Sequence, residues 1–240
     1  MKTTLWDRRG PFLIVVPAIT VIGALGTIAL GSVTATVFGA VAGLGWGLLL
    51  GFVAMRLAQS ESRRPALVNA SVFLAALCSG MLAGGALLVL MLLSAGLSTP
   101  STSFTIVHPP FGASFNLFII TLNSLMEWLL IPAALFLNWR IPKRRTLIVT
   151  AALVYYAMRV WTYVYFVPNI FEFGAIPPEG PFSAELVERF RLWVNLSWLR
   201  LGFDVSTNVL FLLAAFVPDS PNRVLRKPAS EKAGKNEDDL

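Results

Sequence analysis

The chain runs to 240 residues, 56% of them hydrophobic and only 13% charged, with a mean hydropathy of +0.71 and a formal net charge of +6. Water-soluble domains sit nearer about 45–50% apolar and about 25% charged, so the surplus apolar surface has to face lipid. One cysteine, Cys78, and one histidine, His108, exclude an intramolecular disulfide, a thiolate zinc or iron–sulfur site and bis-histidine haem ligation. The phosphate-loop, HExxH and GxSxG patterns are missing as well.

A helix needs roughly 20 apolar residues to cross a hydrocarbon core of about 30 Å. In chain order, an N-terminal segment (1–11) precedes spans at about 12–31, 36–57 and 67–97. An uncharged outer loop at 98–112, holding His108-Pro109-Pro110, leads to spans at about 113–138, 146–167 and 194–217. Before the last span, Ser183 as a helix cap and Leu186, Val187, Phe190 and Trp193 at helical spacing predict an amphipathic outer helix over about 183–193. The segment 218–240, rich in Pro, Lys, Glu and Asp, is predicted to be a disordered cytoplasmic tail.

With the amino terminus inside, Lys2, Arg8, Arg9, Arg56, Arg63, Arg64, Arg140, Lys143, Arg144, Arg145, Arg223, Arg226, Lys227, Lys232 and Lys235 are cytoplasmic, which is fifteen of the 19 basic residues. Arg189 and Arg191 fall outside beside Glu172, Glu179, Glu185 and Glu188. The positive-inside rule then places both termini in the cytoplasm. The expected fold is an all-α polytopic protein of six transmembrane helices in the inner or plasma membrane. Its basic charge is topology with some affinity for anionic lipid headgroups, and needs no nucleic-acid partner.

The two halves differ in content. In the second span Gly39, Gly43, Gly47 and Gly51 recur every four residues, and Ala76, Gly80 and Gly84 give the third a similar face. Such stripes let helices approach closely in lipid. They predict tight packing of the first three spans, or a homodimer or membrane-complex seam. The last three spans hold the polar residues. Asn123 and Glu127 lie four apart, as do Tyr155 and Arg159, and Arg200, Asp204 and Asn208 mark one face of the last span.

A charge near the bilayer midplane costs about 2.5–3.5 kcal/mol on insertion scales, so these groups are expected to pair: Glu127 with Arg159, and Asp204 with Arg159 or Arg200. Such a network either orients three helices or lines a polar pocket. In the helix-orienting reading, Asn123, Asn195 and Asn208 satisfy leftover hydrogen bonds; in the pocket reading they contact ligand, and Trp128, Tyr155, Tyr156, Trp161, Trp193 and Trp198 form aromatic walls. Arg159 or Arg200 would hold an anionic oxygen, and Glu127 or Asp204 would move a proton, without metal or flavin. His108, in the outer loop, reads as a turn residue before a catalyst.

From about 114 to 217 the arrangement resembles the anthrone-oxygenase-like family of small membrane proteins. The resemblance is carried by an Asn-bearing span (Asn123), the basic turn Arg140 to Arg145 and a Tyr/Trp-rich span ending in Val167-Pro168-Asn169. A short outer helix running through Trp193, Asn195, Trp198 and Arg200 into the last span completes it. The resemblance implies a four-helix unit to which the first two spans are additions, and, for some members, cofactor-free oxygenation of polycyclic phenolic substrates. The sequence therefore leaves three functions open: a site that binds or oxidises a lipophilic aromatic molecule, a proton-coupled transporter, and a non-catalytic assembly subunit.

Overall fold

The computed structural model describes residues 5–28, 32–57, 64–97, 99–108 and 111–218, nearly all of them helical and none in a strand. The helices are α1 (Leu5–Ile28), α2 (Val33–Leu57), α3 (Arg64–Gly96), α4 (Pro100–Val107), α5 (Phe111–Leu125), α6 (Ile131–Asn138), α7 (Pro142–Trp161), α8 (Val167–Gly174) and α9 (Ala184–Phe216). Six stretches are long and apolar enough to cross a membrane: Gly10–Ile28, Val33–Leu57, Pro65–Gly96, Phe111–Asn138, Pro142–Gly174 and Ala184–Phe216. Large apolar side chains such as Phe38, Phe73, Leu117, Leu153 and Val164 stand exposed around the outside, as a bundle solvated by hydrocarbon requires. The chain is a multi-pass membrane protein. Of the predicted basic residues, Lys2, Arg63, Arg223, Arg226, Lys227, Lys232 and Lys235 lie outside the described residues, as does the tail from 219 onward.

The glycine stripe seats neighbours within the chain: α1 against Gly39, Gly43 and Gly47, and at Gly51 both Phe12 of α1 and Phe136 of α6. A Cβ on Gly39 would strike the Gly23 carbonyl, and one on Gly43 would sit 2.5 Å from the Ile19 carbonyl. The two backbones are in contact, and α1 and α2 form a hairpin. The third span does not join them as expected; it packs along α9, because the Asn208 amide inserts at Gly80 and bonds Ala76 O (2.7 Å) and Ser79 Oγ (3.1 Å). Gly84, expected on the same seam, meets nothing within 4 Å.

Two prolines shape the polar half. Pro132 and Pro168 each lack the N–H that an α-helix would use, and a helix accommodates such a gap by a π-turn or a kink. Here Met126–Leu130 and Thr162–Phe166 are π-turns: the Ile131 N–H reaches back to Met126 O and the Val167 N–H to Thr162 O. The Trp128 carbonyl, four residues before Pro132, accepts from Trp46 Nε1 at 2.7 Å, and the Glu127 carbonyl accepts from the Tyr156 hydroxyl at 3.0 Å. α5 thus runs into α6, and α7 into α8, without a break.

Three boundaries change as a result. The fifth span continues through Pro168 to Gly174 instead of stopping at 167, since a helix can absorb a proline by widening one turn. The outer helix and the last span form one continuous α9, capped by Ser183 Oγ accepting from the Leu186 N–H at 3.1 Å. The loop at 98–112 contains α4, which His108 closes by donating from Nδ1 to Phe104 O at 2.7 Å.

At the basic end, Arg144 is 2% exposed and not a free loop cation. It donates to Asn69 Oδ1 (2.9 Å), to Asn138 Oδ1 (3.0 Å) and to the Val217 carbonyl, an acceptor left over at the end of α9. Asn138 in turn donates to Ala134 O at 2.9 Å and Ser71 Oγ at 3.1 Å. One guanidinium therefore ties α3, α6 and α9 to the start of α7.

Candidate functional site

Four helices bring polar groups to the middle of the bundle. Glu127 sits in the first π-turn, 1% exposed, and Arg159 lies two turns after Ala152 on the inner face of α7. The two form a buried ion pair through Arg159 Nε and Glu127 Oε1. The Tyr163 hydroxyl, from the second π-turn, donates to Glu127 Oε2 at 3.2 Å, and the Arg159 guanidinium stacks on the Tyr163 ring with its carbon 4.7 Å from the centroid. The Tyr155 hydroxyl donates to Asn123 Oδ1 at 2.8 Å and lies 3.5 Å from Glu127 Oε1. Asn123 Nδ2 is held by Ile119 O at 2.8 Å. Both carboxylate oxygens thus have donors, which is what keeps a charge tenable away from water.

Beside this network lies a cavity of about 700 Å³. Its walls are apolar: Leu82, Ala86 and Val89 of α3, Phe115 and Ile119 of α5, Phe166 of the second π-turn and Trp193 of α9. The polar side chains that reach it are Asn116, Asn123, Ser124, Arg159, Thr162, Tyr163, Arg200 and Asp204. Glu127 does not line it; Arg159 and Tyr163 stand in front of its carboxylate. Arg200 and Asp204 lie one turn apart on α9, and the expected pair of Asp204 with Arg159 or Arg200 is not formed among the described residues. The Arg200 guanidinium rests instead on Phe166, 4.7 Å from the ring centroid. Trp193 Nε1 is buried and has no acceptor among the described residues. The cavity's lining comes from the ends of α1 and α3 remote from the Arg140 to Arg145 turn and from α5 along nearly its whole length.

Of the residues singled out from sequence, Asn123, Arg159, Arg200, Asp204 and Trp193 meet at the cavity, and Tyr155 supports it from behind. Asn208 clamps α3 to α9 and is not at the site. Asn195 is exposed, and Trp198 turns away to bond Ser94 Oγ at 3.0 Å. Both stand about 140–200° round the helix from Trp193, whereas Arg200 and Asp204 return within about 20° of it. Trp161 packs against Phe166 at 5.0 Å between centroids, and Trp128 and Tyr156 serve the first π-turn, so none of these three is a cavity wall. Sequence reasoning missed Tyr163, which its spacing of four from Arg159 would have placed on the same face. It also missed the contribution of α1 through Leu25, Gly26 and Ile28. No protein-family model, curated protein or solved structure matches this chain.

Proposed function

We propose that the cavity binds a lipophilic aromatic molecule bearing one phenolic or enolic oxygen, within the inner or plasma membrane. The single observation that carries this reading is the cavity's division of labour. Apolar and aromatic walls enclose about 700 Å³, within the usual range for small-molecule sites, while two guanidinium groups and one carboxylate converge at one end. Arg200, free of an ion-pair partner among the described residues, suits a phenolate or enolate oxygen. Asp204, one turn away, is placed to take a proton from the same ligand.

In this reading Glu127 is a positioning residue. It fixes Arg159 and does not touch ligand, so the base is Asp204. The resemblance over 114–217 accords with a reaction of oxygenase type on a polycyclic, enolisable aryl ketone such as anthrone. Asp204 takes a ring-methylene proton, Arg200 holds the enolate oxygen, and dioxygen accepts the electrons, leaving one oxygen atom as the new carbonyl and the other as water. The buried floor of the cavity, with Met126, Ala152 and Ile148 below it and the Arg144 network beyond, supports a one-ended site over a transport path.

The test is energy transfer from tryptophan to hydroxypyrene, a fluorescent lipophilic phenol, with purified protein in phosphatidylcholine vesicles. Saturable transfer is expected, about tenfold weaker for Arg200→Gln and for pyrene itself, the loss of roughly one charge-assisted hydrogen bond. Transfer that rises without saturation and ignores Arg200→Gln would refute the reading.

A further inference from the structure

We propose that the cavity is loaded sideways from the bilayer, through a mouth between α1, α5 and α8, so that its ligand is a membrane-dissolved amphiphile and not a water-borne solute. This rests on the reading of the cavity as a binding site. Three residues that line the cavity also stand open on the outside of the bundle: Ile28 is 51% exposed, Ile120 62% and Phe171 66%. They come from three different helices. α5 packs closely on α3 and α4, and the helices flanking its other side leave the cavity uncovered there.

The chemistry of the rim fits hydrocarbon on one side and a polar head on the other. Its bulk is apolar, which repels a hydrated solute. Asn116 and Ser124 lie four residues either side of Ile120, on the same face of α5, and their side chains bond no other described residue. An amide without a partner at membrane depth is costly. A ligand whose hydroxyl moves past Asn116 and Ser124 toward Asn123 and Arg159 keeps a hydrogen-bonding partner along its path, while its apolar body stays in contact with apolar walls.

A competing route exists in the structure. A smaller cavity of about 310 Å³, lined in part by Ala113, Gly174 and Ala175, abuts the large one and shares Asn116, Ile170 and Phe171 with it. It lies at the outer ends of α5 and α8 and would admit ligand from water.

The two routes separate kinetically. Full-length protein in phosphatidylcholine vesicles is loaded with hydroxypyrene, followed as the rise of tryptophan energy transfer; excess naphthol is then added, and release is followed as its decay. Lateral loading predicts that Ile120→Trp, and independently Ile28→Trp from the α1 side, slow loading as well as release about tenfold, where a change of affinity alone would not move both in the same direction, that Ile120→Ala speeds both, and that Ala113→Trp leaves both unaltered. Slowing in Ala113→Trp, or in neither mouth variant while binding remains saturable, would overturn lateral loading and leave the binding site standing. Absence of saturable binding in the wild type would remove the binding site itself.

Discussion

Glu127 lies behind Arg159. The carboxylate takes the guanidinium Nε and the Tyr163 hydroxyl, while the guanidinium forms part of the cavity wall. Asp204 and Arg200 stand in the opposite relation, both facing the cavity and paired with nothing within ion-pair reach among the described residues. One carboxylate and guanidinium are thus closed on each other and the other two are open to the cavity, and the difference is measurable.

Breaking the Glu127–Arg159 pair from either side strands a buried charge. Glu127→Gln and Arg159→Gln are each expected to cost about 3–5 kcal/mol in detergent. The double variant should recover most of that, so that it costs far less than the two single losses added together. Thermal melts of the four proteins check it, and additive losses would contradict a closed pair.

The α1–α2 hairpin depends on bare glycine at particular positions. Gly39→Ala places a methyl group against the Gly23 carbonyl and is expected to destabilise by about 1–3 kcal/mol. Gly45→Ala, on the same helix but with nothing within 4 Å, should be neutral or slightly stabilising. Because Leu25 and Ile28 of α1 line the cavity, Gly39→Ala should also weaken hydroxypyrene binding. Paired melts and binding curves decide whether the stripe acts through this hairpin.

Arg144 makes its contacts as a fork, to two side-chain oxygens and a helix-end carbonyl. Lysine cannot reproduce that geometry. Arg144→Lys should therefore lower stability by about 2–3 kcal/mol, close to the loss from Arg144→Gln, although it preserves the charge that sets topology. If Arg144→Lys melts like the wild type, the residue acts only as a topogenic cation.

The spans were legible because lipid imposes one length and one composition on them, and the Glu127–Arg159 pair because few partners exist for a charge at mid-span. Arg144 was not, since within Arg140 to Arg145 every cation reads as topology and nothing local marks the one that turns inward. Pro168 read as an end to the helix because proline removes an N–H. The structure keeps the helix going by widening a turn, and it does the same at Pro132, where Trp46 and Tyr156 from distant helices satisfy the carbonyls. Those partners lie 82 and 29 residues away in the chain, beyond the reach of local pattern. Asn195 and Trp198 were drawn into the site by residue type and by the resemblance over the outer helix; helical phase puts them on another face from Trp193, Arg200 and Asp204.

The Tyr163 hydroxyl is the outermost support of the network, so Tyr163→Phe is expected to cost only about 0.5–1.5 kcal/mol and to leave Glu127 paired. Its larger consequence should be on ligand affinity, since Tyr163 both lines the cavity and carries the Arg159 guanidinium on its ring. A melt lowered by only a few degrees together with weaker hydroxypyrene binding would bear this out.

The most direct measurement compares stability and hydroxypyrene affinity across Glu127→Gln, Arg159→Gln, Arg200→Gln and Asp204→Asn in one membrane mimic. The first two are expected to lose several kcal/mol of stability, and the last two to keep their stability while binding about tenfold more weakly. If Arg200→Gln and Asp204→Asn unfold the protein, or bind the phenol as the wild type does, the cavity is not a ligand site and its charges serve only the fold.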